Sequence, residues 1–171
     1  MRVTLAVWMG VAATAMIMAQ PGPDARVTAQ LRQLFPSAAA FSPKSGTPPH
    51  YEAWSTVPGP AAERIGVAIW TTDLDPLERG YDGPVKILVG LDLRGTITGI
   101  VVADHHEPYG YFSVDLPAFA AQFKGKSVRD PFRVGGDVDA ISRATLTVTS
   151  AARAIRNSAR RAATALITPP R

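Results

Sequence analysis

Apolar positions along the chain change their spacing several times, and each change marks an element. From Asp24, the residues Val27, Leu31, Leu34 and Phe35 recur at three- and four-residue intervals. That period predicts a helix capped by Asp24 and stopped by Pro36. The stretch 37–49 reads as loop, punctuated by Ser42-Pro43, Ser45-Gly46 and Pro48-Pro49. Residues 51–56 suggest a short strand. After Pro58-Gly59-Pro60, residues 64–72 set Ile65, Val67 and Ile69 against Gly66, Ala68 and Trp70, predicting a strand with one well-filled face.

The runs 85–92 and 96–103 are rich in β-branched residues and are joined by Leu93-Arg94-Gly95. So short a connection forces antiparallel pairing, because a parallel pair needs a long crossover. Asp115-Leu116-Pro117 reads as the cap and first turn of a helix holding Phe119 and Phe123, closed by Lys124-Gly125. Gly135-Gly136 breaks the chain before a short strand at 138–141. A final helix follows, N-capped by Ser142 and reaching about Ile167. Ala151, Ile155, Ala159, Ala162 and Leu166 share one side of it. Arg153, Arg156 and Arg160, with Arg161 beside them, take the other and read as a solvated face. The pattern predicts a single α+β domain: a twisted, mainly antiparallel sheet, helices packed against it, and a long C-terminal helix.

Ahead of this domain, Met1-Arg2 precedes an uncharged run, Val3 to Ala19. A basic start, an apolar run and a break at Pro21-Gly22-Pro23 read as a secretory signal or a retained single anchor over 1–19. The domain at 20–171 is then expected to be exported, in the periplasm or on the extracytoplasmic face of a membrane. Composition adds little to this. The 171 residues are 46% hydrophobic and 19% charged, as in a folded domain. The net charge of +4 comes with no nucleic-acid recognition motif, so no nucleic-acid partner is expected. The absence of cysteine excludes disulfides, thiolate metal sites and Cys-ligated clusters.

Two stretches carry candidate chemistry. The first is Asp104-His105-His106-Glu107-Pro108, directly after the second hairpin strand, where a rigid sheet aims functional groups. Neighbouring residues on an extended strand point to opposite faces, so His105 and His106 do not chelate together readily. His50 is the remaining histidine, and no metal is expected. There is no nucleophile elbow, phosphate-binding loop or dinucleotide Gly pattern, so no catalytic residues are assigned.

The second stretch is Asp139-Ala140-Ile141-Ser142-Arg143-Ala144-Thr145. It places Thr145 in the first turn of a helix, where unpaired amides and the dipole favour an anion, and Arg143 adds a charged donor.

This stretch resembles the flavinylation motif of the FMN-binding domain family, in which a Thr hydroxyl carries FMN through a phosphoester. The Asp, Ser, Ala and acceptor Thr fall on Asp139, Ser142, Ala144 and Thr145, and Arg143 stands where the family has Gly. With the upstream His-His-Glu-Pro stretch and the turn Gly80-Tyr81-Asp82-Gly83-Pro84, the likeness covers roughly Pro49 to Ile167. It is nearest to the flavin domain of the nitrous oxide respiration regulator, rather than to the sodium-pumping quinone reductase and Rnf-type subunits. The membrane region and iron–sulfur modules of that regulator have no counterpart here, so regulation is not carried over.

The resemblance implies an electron carrier rather than a stand-alone enzyme, with covalent FMN on Thr145. It also implies a flavin transferase that takes FMN from FAD with a divalent cation, and a membrane or periplasmic redox partner. His105, His106, Glu107 and Tyr109 become candidates for the flavin surroundings. The alternative is an exported binding module without flavin, in which Ser142 and Thr145 are only helix caps.

Overall fold

The hairpin expected from the two β-branched runs forms one end of the sheet. In the computed structural model, β4 (Lys86–Asp92) and β5 (Ile97–Asp104) pair antiparallel, with Val89 opposite Ile100. Asp92 holds the connection, its carboxylate accepting the Arg94 and Thr96 N–H groups at 2.9 and 2.8 Å. Gly95 closes it at φ +80, a conformation that costs a residue without Cβ little. The structure describes residues 22–57, 59 and 61–167, so the expected signal or anchor lies outside it.

From the hairpin the sheet extends as an antiparallel meander in the order β1-β2-β3-β4-β5. Its other strands are β1 (Ala40–Phe41), β2 (Tyr51–Trp54) and β3 (Arg64–Trp70). The β1 pair lies within the stretch expected to be loop. Ala40 and Phe41 pair with Trp54 and Ala53, and two residues are too few to show an alternating pattern in sequence. The strand expected to have one filled face, β3, is buried on both. Val67 and Ile69 face one core, and Ala68 and Trp70 face the other. Ile65 leaves the company of Val67 and Ile69 because the register slips. Ala53 pairs with Gly66 but Trp54 pairs with Arg64, so a bulge turns Ile65 towards the second core.

Helices cover the two faces. On one lies α1 (Ala25–Leu34), with the Asp24 carboxylate accepting the Val27 N–H at 2.8 Å as expected. Its Leu31 and Leu34, with Phe35, pack on Leu88 and Trp70. A Cβ on Gly90 would overlap Thr98 and press on Leu34, so the bare backbone there lets α1 approach the sheet.

On the other face lies α4 (Thr145–Leu166), preceded by α2 (Thr71–Leu74) and α3 (Pro117–Ala121). Ala151, Ile155, Ala159 and Ala162 are fully buried, as the pattern required, and Leu166 is partly so. Phe119 and Phe123 meet edge to face at 5.1 Å within the same core.

Two local expectations fail. The α3 N-cap is Leu116, with no side-chain bond, because the Asp115 carboxylate is engaged by His105. No strand forms at 138–141; only Val134 and Val138 bridge, around a turn whose amides bond the Asp137 carboxylate. Among the described residues, no helix is long and apolar enough to cross a membrane.

Candidate functional site

Glu107 is the hub of the α4 N-terminal end. Only 6% exposed, its carboxylate accepts the Tyr81 and Asp82 N–H groups at 2.9 Å each and the Thr147 hydroxyl through a short bond. Three segments distant in sequence thereby meet: the Gly80–Pro84 turn, the residues after β5, and the first turn of α4. Gly80 has no room for a side chain, since a Cβ would overlap the carboxylate. Burial alone would raise the Glu107 pKa, but the bonds from Thr147, Tyr81 and Asp82 outweigh it and hold the acid below its ordinary 4.5.

His105 supports this hub from behind. Its Nδ1 accepts the Glu107 N–H at 3.1 Å, so Nε2 carries the proton and donates to Asp115 at 2.8 Å. A Cβ on Gly110 would overlap the His105 ring, which fixes a small residue in the turn that follows. His106 is exposed and points to no partner among the described residues, and Tyr109 is 41% exposed against Phe112 at 5.6 Å. No group of three or more His, Asp or Glu that could hold a metal forms among the described residues.

The entry to α4 differs from the expected Ser142 cap. Ala144 donates its N–H to the Ile141 carbonyl at 3.0 Å, closing a turn through Ser142 and Arg143. Arg143 sits at φ +68, the left-handed conformation for which Gly is favoured. That accounts physically for the Gly of the resembled motif. The turn delays the helix, so Ala144 is its N-cap and Ser142 stands exposed outside it. No side chain caps α4, and the first-turn amides have no intrahelical acceptor.

Three threonine hydroxyls lie within two turns of this end, and their situations differ. Thr145 is the first residue of α4 and is exposed, its hydroxyl making only a long 3.4 Å bond to the Ile141 carbonyl. Thr147 is buried and committed to Glu107. Thr149, half-buried, is one turn further along. Asp139 is exposed, with its N–H donating to Gln122 at 2.6 Å, and the methyl of Ala144 is buried beneath the turn.

Sequence reasoning missed Thr147 as the partner of Glu107 and Asp115 as the partner of His105. Neither pairing has a periodic signature, because each joins side chains from separate elements.

Residues 80–160 match the FMN-binding domain family model. The matched span contains the Gly80–Pro84 turn, the His105–Glu107 hub and the Thr145 turn. The chain is also distantly similar to one subunit of the ion-translocating oxidoreductase complex, in several bacteria. Against that of Escherichia coli (strain K12) it is 33% identical over 93 residues, 48% of this chain and 43% of that protein. Against that of Pectobacterium atrosepticum it is 31% identical over 118 residues, 63% of this chain and 53% of the other. The Vibrio vulnificus (strain YJ016) protein gives 34% over 89 residues, 46% and 42%. The chain thus spans about half the length of the curated relatives it matches.

Proposed function

We propose that this chain is an extracytoplasmic electron-transfer flavoprotein carrying FMN through a phosphoester on Thr145. One observation carries the reading: of the three hydroxyls near the start of α4, Thr145 alone is both exposed and in the helix's first turn. A phosphate there would meet unpaired amides, the positive end of a 22-residue helix and the Arg143 guanidinium. The donor set therefore fits the group. The absence of any side-chain cap also weakens the rival reading, in which Ser142 and Thr145 serve only as caps.

Bound FMN would supply one- and two-electron redox chemistry, which the protein positions and tunes. In this reading Thr145 offers the acceptor oxygen, and Asp139, Ser142 and Arg143 present an exposed turn to a flavin transferase. Ala144 seats that turn by its buried methyl. Glu107 and His105 act by positioning, since their polar atoms are already engaged. His106 and Tyr109 are the exposed members of the site, free to touch the flavin ring.

The N-terminal run would serve as signal or anchor, and partners would belong to a membrane redox complex, as the name of the oxidoreductase relatives suggests. Arg143 and the His-His-Glu-Pro stretch support a place nearer the nitrous oxide regulator type. Co-expression with a flavin transferase tests the reading: a yellow protein that stays fluorescent on a denaturing gel is expected. A colourless protein, alongside a modified control substrate, would defeat it.

A further inference from the structure

Arginines collect on the outer side of α4 and the loops beside it. Two grooves, of about 440 and 580 Å³, flank the helix and share Arg160. Their walls carry Arg94, Arg129, Arg133, Arg153, Arg156 and Arg160, and neither wall carries a carboxylate. Little neutralises these charges. Arg160 donates to the Val128 and Asp130 carbonyls at 2.8 and 2.9 Å, and Arg156 to Asn157 at 3.3 Å. Of these six arginines, only Arg153 meets an acid among the described residues, Glu78 at 3.6 Å. Like charges three and four residues apart on a helix repel, so the chain bears a repulsion that it does not relieve internally.

This surface is built rather than loose. Asp137 accepts the Phe132 and Arg133 N–H groups at 3.1 and 2.5 Å and the Lys126 ammonium at 3.2 Å. Those bonds fix the loop that forms the smaller groove's far wall. Partly exposed Val128, Val134 and Ala163 set apolar surface between the guanidiniums.

The surface also points at the candidate site. At about 100° per residue, Thr145, Thr149, Arg153, Arg156 and Arg160 fall within an arc of about 80° on α4. The arginines therefore share the Thr145 side of α4, beginning about 12 Å along the helix at Arg153 and reaching Arg160 about 10 Å further on, at about 1.5 Å per residue. Six guanidiniums spread over two grooves exceed what one small ligand needs. Interleaved arginines and apolar side chains suit a protein surface rich in carboxylates, which a field of this sign would steer towards it.

We propose that this arginine face docks an acidic electron-transfer protein and brings its redox centre beside the cofactor on Thr145. The proposal rests on the flavin reading. In the exchange, the reduced partner loses one electron and the flavin on Thr145 gains it, with no bond made or broken between the proteins.

The test uses the full, flavin-loaded chain and flavodoxin hydroquinone as an acidic probe, oxidised to its semiquinone as the flavin is reduced. A neutral deazaflavin radical serves as the unsteered control. Flavin reduction by flavodoxin should slow about tenfold between about 20 and about 500 mM salt, as screening removes steering. Arg133→Gln/Arg153→Gln/Arg156→Gln should slow it about tenfold at low salt and flatten the salt dependence. Arg26→Gln/Arg32→Gln/Lys86→Gln, on the α1 side of the sheet, should behave as wild type. The deazaflavin rates should match in all three proteins.

Equal loss in both triple variants, or wild-type rates in the first, would overturn the proposal. Sedimentation with phosphatidylglycerol vesicles that only the first variant loses, with flavodoxin rates unchanged, would assign the face to a membrane instead. A colourless wild-type protein would defeat the flavin reading itself, and the docking proposal with it.

Discussion

The Glu107 carboxylate accepts the Thr147 hydroxyl across 40 residues of sequence, tying the chain after β5 to the first turn of α4. Because the same carboxylate holds the Tyr81 and Asp82 amides, removing it strands three donors at once. Glu107→Ala should cost about 3 kcal/mol, and Thr147→Val about 1–2 kcal/mol, by the usual cost of unpaired buried groups. The double variant should lose less than the sum, because the two share one bond. Urea denaturation of the four proteins reads this directly; strict additivity would show that the contact contributes nothing.

Acid sensitivity follows from the same carboxylate. Its folded pKa lies below the ordinary 4.5, so its stabilisation is fully present above that value and is lost as pH falls through the folded value. Asp137 acts in the same direction: burial would raise it, but the Arg133 N–H, Lys126 and the Phe132 N–H together hold it below 3.8. Stability should therefore decline steeply below about pH 4.5. Glu107→Gln should start less stable near neutrality and decline less on acidification. A wild-type stability that rises as pH falls from about 5 to about 3 would contradict the sign.

At the turn before α4, Arg143 holds a backbone conformation better suited to glycine. Arg143→Gly should therefore stabilise the protein, by about 0.5–1 kcal/mol. Ser142→Ala should change stability by less than about 0.5 kcal/mol, because Ser142 is exposed and caps nothing. Thermal unfolding of both variants checks the pair. A marked loss on Ser142→Ala would restore the cap that the turn geometry removes.

That turn also shows how far sequence reading reaches. The hairpin, α1 and the buried stripe of α4 were legible, because burial imposes a period on many residues at once. The two-residue β1 and the bulge at Ile65 were not, since backbone pairing leaves no side-chain pattern. At the site, Glu107 and Thr145 stood out within their motifs, but their surroundings did not. Ser142 looked like a cap because its residue type suits one, and the left-handed φ of a non-glycine residue cannot be read from residue type. Asp115 looked like a cap for the same reason, while its actual partner, His105, lies ten positions upstream.

The central claim is the covalent bond at Thr145, and peptide mass spectrometry of protein matured with a flavin transferase tests it most directly. The predicted result is an FMN-sized increment on the peptide containing Thr145, absent from Thr145→Ala and at least partly kept by Thr145→Ser. The fluorescence of the denatured protein should follow the same order. Thr147→Val should keep the increment, since that hydroxyl is buried against Glu107. An increment mapped to Thr147 or Thr149, or one that survives Thr145→Ala, would contradict the account.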